Sequence, residues 1–207
     1  TKEVIEIMGK VDDNKKQKMN TLLQTAFDLF TGKGFAKTTV SDIVNQAGLA
    51  KGTFYLYFKD KYDLRDKLIA HKACQLFDDA HKQLEGVEIN SLEEEILFLT
   101  DYIIDRFQKQ QPLLKFLSKN LSWGVFQDAV GTGSVVSRQF YDHYRNSLVK
   151  YNVNCENPDL LLFTLIELIS STSYNCILHE KPVSMEEYKP YLHKSLKKVY
   201  EVFVSVQ

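Results

Sequence analysis

The apolar positions of this chain recur at helical spacing from end to end. Leu22, Leu23, Ala26, Phe27 and Phe30 form one stripe, and Gly32-Lys33-Gly34 stops it, which predicts a first firm helix over 15–33. Val40, Ile43, Val44 and Ala47 fall at i, i+3, i+4 and i+7, one face of a short helix. Thr39 or Ser41 suits its start and Asp42 its first turn. Gly48 follows where a left-handed cap is needed, and Leu49 after it is expected to be buried. A second short helix begins near Ala50, with Phe54 and Phe58 inward and Lys51, Gly52, Thr53, Tyr55 and Tyr57 outward. Two short helices about a tight glycine turn make a helix-turn-helix. Phe27, Phe30, Phe35, Ile43, Val44, Phe54 and Phe58 supply three helices with a small shared core. The outward set is basic, small, hydroxylic and aromatic, which suits phosphates and base edges.

Beyond this region the punctuation is equally helical. Asp60 caps a fourth helix to about 84, with Leu64, Leu68 and Phe77 on one side, and 85–87 break it. Ser91 caps 92–110, whose first turn holds Glu93, Glu94 and Glu95 at the positive end of the helix dipole. Pro112 opens a helix to about 123, and three glycines make 124–134 a loop or a broken helix. A further helix covers 135–151. Asn157 and Pro158 start a long apolar helix to about 179, and Ser184 caps a last one with the stripe Tyr188, Leu192, Leu196, Val199 and Phe203. No alternating pattern is sustained. The fold class is therefore all-α: a loose arm over 1–14, a three-helix helix-turn-helix domain over 15–60 with its motif at 39–58, and a helical body over 61–207, about nine helices in all.

Charge sharpens this division. The net charge is only −1, yet 14–61 carries eight lysines against three aspartates, a local +5 that leaves −6 on the rest. A basic module on an acidic body is an electrostatic footprint for nucleic acid, and Lys15, Lys16 and Lys18 add a basic edge beside the arm. Three widely spaced cysteines form neither a disulfide framework nor a zinc spacing, which fits a reducing cytoplasm. Residues 1–14 lack the apolar core of a signal peptide. The run 160–169 is short of the roughly 18 apolar residues of a membrane span and is interrupted by Thr164 and Glu167. A cytoplasmic protein without a membrane partner is expected.

Enzyme motifs are missing from the sequence: no Gly-rich phosphate loop, no Gly-x-Ser-x-Gly, no His-Glu-x-x-His. His71, Cys74 and Asp78 share one helix face, and Cys176 and His179 repeat the spacing. Two or three ligands without a fourth fit buried cysteine and exposed histidine better than a metal site, so neither metal nor cofactor is expected. Cys155 has no cationic neighbour in sequence to lower its pKa.

The run Thr-Thr-Val-x-Asp-Ile-Val-x-x-Ala-Gly-Leu-Ala-Lys-Gly-Thr-Phe-Tyr-x-Tyr-Phe-x-x-Lys, from Thr38 to Lys61, resembles the DNA-binding motif of TetR-family transcriptional regulators. Ala26, Phe30, Gly34 and Phe35 extend the match upstream and Leu64 downstream, covering about a quarter of the chain. The resemblance implies a DNA surface of Thr38, Thr39, Ala50, Lys51, Gly52, Thr53, Tyr55, Tyr57 and Lys61. In it Lys51 meets a phosphate or a guanine edge, Gly52 admits close backbone approach, and Thr53 meets a base or a thymine methyl. Tyr55 and Tyr57 meet phosphates or sugars, and Thr38 or Thr39 with Lys61 donate to phosphates. Ala50 departs from the pattern, where a hydroxyl residue is frequent. The fourth helix would link head to body and transmit a signal by its tilt.

The resemblance also implies a homodimer built on the last two helices as a four-helix bundle. The helix from 159 is apolar nearly all round, so it is buried on more than one side. It is either a central core helix or one shared with a second subunit. For the shared case the candidate interface is Leu161, Leu165, Leu168, Leu192, Leu196, Val199 and Phe203. Aromatic residues crowd 91–174, as ordinary core or as the lining of an effector pocket. The pocket candidates are Tyr102, Arg106, Phe107, Phe116, Trp123, Phe126, His143, Tyr144 and Tyr174. The expected function is a repressor released from a palindromic double-stranded operator when a small, largely apolar effector binds the body. The alternative is an architectural or adaptor DNA-binding protein with no effector.

Overall fold

The computed structural model describes residues 2–120 and 135–204. The glycine-rich 124–134, and with it Trp123 and Phe126, lies outside them. Among the described residues there are nine α-helices and no strand: α1 (Lys2–Leu29), α2 (Val40–Ala47), α3 (Lys51–Tyr57), α4 (Lys61–Lys82), α5 (Leu92–Lys109), α6 (Gln111–Asn120), α7 (Val135–Lys150), α8 (Pro158–His179) and α9 (Met185–Phe203). The chain divides into two compact units, Thr1–Leu68 and Ile69–Gln207, so the boundary falls within α4.

In the first unit α1 begins at Lys2, where a loose arm over 1–14 is expected from the sequence. Nothing in 2–14 breaks a helix apart from Gly9, and most of its residues are compatible with one. At its other end α1 passes into a wider π turn over Phe30–Gly34. The turn ends at Gly34, whose φ of 92° needs glycine, and the Thr31 hydroxyl donates to the Phe27 carbonyl at 2.7 Å. Thr39 caps α2 with a full capping box. Its Oγ1 accepts from the Asp42 N–H at 3.1 Å, and the Asp42 carboxylate accepts from the Thr39 N–H at 2.8 Å. Gly48 closes α2 in the left-handed conformation as expected. Leu22, Ala26, Phe30, Ile43, Val44, Phe54, Phe58 and Leu64 are buried. Phe27, Phe35 and Leu49 are only half-buried, Leu49 contrary to expectation.

The second unit has two apolar centres. Cys74, Leu92, Phe140, Tyr144, Leu148 and Leu162 form one. Ile104, Leu161, Leu165, Cys176, Met185, Leu192 and Leu196 form the other, between α5, α8 and α9. This corrects four of the interface candidates. Leu161, Leu165, Leu192 and Leu196 are core within one subunit, and Leu168, Val199 and Phe203 are partly buried against the same centre. A helix apolar all round does not reveal which face its own subunit takes. The exposed apolar side chains of α8 and α9 are others: Leu160 at 46%, Tyr191 at 65% and Val202 at 77%.

By length and composition alone α8 is long and apolar enough to cross a membrane, with a mean hydropathy of 1.4 over 18 residues. That test is also passed by core helices, and the buried face of α8 faces α9 and α5.

Candidate nucleic-acid interface and body cavity

The seven-residue α3 is placed by two buried aromatic anchors. Phe54 is fully buried, and Phe58 ends the helix with its N–H donating to the Phe54 carbonyl at 3.0 Å. Their burial turns Lys51, Gly52, Tyr55 and Leu56 outward, with Thr53 and Tyr57 half-buried. Tyr55 lies edge-on to Phe54 with ring centroids 5.3 Å apart, so the same core that fixes the helix also supports the outward tyrosine. A Cβ added at Gly52 would meet nothing within 4 Å, leaving open space above the backbone at that point. Ala50, the N-cap of α3, makes no side-chain capping bond, as its lack of a hydroxyl requires.

Leu56, at 79% exposure, is the residue of this surface that sequence reasoning missed. Its signal is an apolar side chain one residue after outward Tyr55 and two after buried Phe54. A large aliphatic side chain among polar neighbours makes a contact surface for a thymine methyl.

One of the expected DNA contacts is corrected, and another has its side chain engaged within the head. Thr38 is 1% exposed, and its hydroxyl donates to the Gly34 carbonyl at 2.9 Å, so it holds the turn before α2. Lys61 turns inward. Its ammonium donates to the carbonyls of Phe35 and Thr38 at 3.0 and 2.9 Å and lies 4.4 Å from the Phe35 ring centroid. Lys67 does similar work at the end of α3, donating to the Tyr57 carbonyl at 3.2 Å, where the helix dipole favours a cation. Thr39 is exposed, and since its oxygen accepts in the cap, its hydroxyl proton is left to donate. Lys33 pairs with the cap carboxylate of Asp42 at 2.8 Å. This pair and the two bonds to Thr39 hold Asp42 down to about 2.

In the second unit a cavity of about 80 Å³ opens between α4, α5, α7 and α8. Its walls are largely apolar, including Leu92, Ile96, Leu162 and Ile166, but Asp78, His81, Glu95 and His143 also line it. Of the expected pocket residues it takes His143 and Tyr144. Tyr102, Arg106, Phe107, Phe116 and Tyr174 do not line it. Phe107 and Phe116 are buried core, and Tyr174 has its ring edge-on to His179 with centroids 6.0 Å apart. The Arg106 Nε is buried without a hydrogen-bond partner among the described residues.

Glu95 is the cavity residue that sequence reasoning assigned to another role. The signal was present: it lies inside the stripe Leu92, Ile96, Leu99 and Ile103, not on the outer face. It is 3% exposed and accepts the Ser147 hydroxyl from α7. No group of three or more His, Cys, Asp or Glu suited to a metal ion occurs among the described residues. Burial, followed by the charge of neighbouring Lys72, lowers the His71 pKa, and burial raises the Cys155 and Cys176 thiols.

A short helix standing on buried aromatics, after a capped helix and a left-handed glycine turn, defines a helix-turn-helix DNA-binding protein. Comparison with known proteins agrees. Residues 22–68 match the family of bacterial regulatory proteins called tetR. Over 187 residues the chain is 26% identical to the uncharacterised HTH-type transcriptional regulator YvdT of Bacillus subtilis, covering 87% of this chain and 94% of that one. The fold matches the fatty acid degradation regulator FadR from Bacillus halodurans (TM-score 0.61, 18% identity, 86% and 94% coverage). It also matches FadR from Bacillus subtilis in complex with stearoyl-CoA (TM-score 0.59, 16% identity, 85% and 96% coverage). The head carries the TetR-family match, and the chain is a DNA-binding transcriptional regulator.

Proposed function

We propose that the protein is a homodimeric repressor that binds a palindromic operator and leaves it when a small effector enters the body cavity. The observation that carries the reading is the outward set on α3, fixed from beneath by Phe54 and Phe58. Lys51, Thr53, Tyr55 and Leu56 approach base edges and phosphates in the major groove, Gly52 lets the DNA come close, and Thr39 and Tyr57 flank them on the backbone. A two-fold mate is required because one seven-residue helix reads few base pairs, and paired helices must sit about 34–36 Å apart. Leu160, Tyr191 and Val202, with the partly buried outer residues of α8, supply the apolar surface for that mate.

Coupling passes along α4. Its first turns carry Lys61 and Lys67, which bind backbone carbonyls of the head. Its later turns carry Phe77, Asp78 and His81 of the cavity wall. An effector that fits the cavity better in one α4 setting than in the other shifts the heads by that difference in affinity. Cytoplasmic location follows from action on DNA.

Selection of bound DNA from a random duplex pool, sequenced at near-physiological salt, tests the reading. It predicts a palindrome with two half-sites one helical turn apart. Salt-sensitive retention without enrichment would leave phosphate contacts alone and favour an architectural protein.

A further inference from the structure

Two carboxylates and two imidazoles stand at one end of the body cavity. Asp78 and His81 come from α4, Glu95 from α5 and His143 from α7, while α8 contributes apolar side chains. The His81 and His143 rings are 4.1 Å apart, so both sit at the same end. Burial, and then the neighbouring His143, hold His81 below the ordinary histidine value, so its imidazole is neutral near pH 7 and does not offset the carboxylates. Among the described residues neither Arg nor Lys lines the cavity. Lys150, whose charge reaches His81 and Glu95, is exposed on α7 and donates to the Tyr151 hydroxyl at 2.7 Å.

A carboxylate as buried as Glu95 is costly unless a positive group or several donors meet it; the Ser147 and Tyr151 hydroxyls donate to it from α7 and the turn after it, and among the described residues no cation touches it directly from within the cavity. The space in front of it is otherwise hydrocarbon and aromatic, with Phe77 and Phe140 stacked 4.3 Å apart beside Tyr144. An apolar space with carboxylates at one end, and rings whose faces attract cations, complements one kind of molecule. We propose that this cavity binds a small amphiphilic cation. Its hydrocarbon part lies along Leu92, Ile96, Leu162 and Ile166, and its ammonium group faces Glu95 and Asp78. A fatty carboxylate or a phosphate headgroup would meet like charge at that end. The assignment rests on the effector reading above and names the chemical class of the effector. A volume of about 80 Å³, smaller than the roughly 150 Å³ that holds a benzene ring, restricts the tail to a short, slender chain.

The test uses the full chain and three probes that share a six-carbon tail: hexylammonium, hexanol and hexanoate. Binding is measured by calorimetry near pH 7.5. The expected order is hexylammonium tightest and hexanoate weakest, with about a tenfold gap or more between them, as one charge contact implies. Glu95→Gln abolishes the gap and leaves hexanol unchanged. Asp78→Asn, at a partly exposed position that puts folding at less risk, narrows it. Hexanoate binding as well as hexylammonium, a gap that survives both substitutions, or no binding of any probe up to millimolar concentration would each overturn the assignment. Operator release is read separately. Release by hexanoate and not by hexylammonium would retain the effector reading and overturn this assignment. Hexylammonium binding in the expected order without any change in DNA affinity would retain the assignment and overturn the effector reading.

Discussion

The head and the body use polar side chains in opposite ways. In the head the caps and turns of the motif are closed by local polar contacts: Thr39 with Asp42, Thr38 with Gly34, Asp60 with the N–H groups of Tyr62 and Asp63. These contacts span two to four residues and fix two short helices that are too short to be stable alone. In the body the polar contacts that matter cross long stretches of chain: Ser147 with Glu95, Tyr141 with Asp159, His193 with Asp101. A local frame holds a fixed reading surface, while in the body long-range polar pairs tie helices distant in sequence, and one of them, Ser147 with Glu95, stands at the cavity.

That contrast can be broken at several points. The largest effect is expected at Phe54. Phe54→Ala removes the fully buried anchor beneath α3 and should destabilise the head by about 3–5 kcal/mol, read by denaturant unfolding, with specific DNA binding lost. Leu196→Ala should cost about 2–5 kcal/mol in the body while leaving the sedimenting mass at fixed concentration unchanged, because Leu196 is core within one subunit. A fall to half the mass with no loss of stability would return Leu196 to the interface.

Gly52→Ala separates stability from binding. The added methyl meets nothing in the protein and removes the entropic cost of glycine in a helix, so the head should gain about 0.5–1 kcal/mol. Operator affinity should nevertheless fall, because the same space is where DNA approaches. The smallest effect is in acid. Asp42 is lowered from 3.8 to about 2 by Lys33 and Thr39, so its contribution is present above about pH 4 and is lost as pH falls through 2. Asp42→Asn should therefore flatten the stability curve of the head between pH 4 and 2, measured by thermal melting across that range.

Much of the head was legible because its determinants are adjacent in sequence. The capping pair Thr39 and Asp42, the Gly48 turn and the buried Phe54 and Phe58 are all local signals. What failed there were side chains whose direction is set at a distance. The Lys61 ammonium donates to the Phe35 and Thr38 carbonyls, more than twenty residues back in the chain, which no local signal shows. In the body the caps Ser91, Asn157 and Ser184 placed helix starts correctly. The assignment of faces did not follow. Periodicity cannot say which side of an all-round apolar helix meets its own subunit, so it offers Leu161 and Leu165 to a core and to an interface alike. Glu95 looked like a partner of the helix dipole because it sits in a first turn beside two other glutamates, although its register is that of the buried stripe.

The account stands on α3 reading base edges, and Thr53→Ala tests that most directly. Selection from the random duplex pool is repeated with the variant beside the wild type. The account predicts that the palindrome and its spacing persist while preference is lost at one symmetry-related pair of positions, a discrimination of about 1–3 kcal/mol per half-site. An unchanged sequence preference, or a uniform weakening at every position, would contradict it.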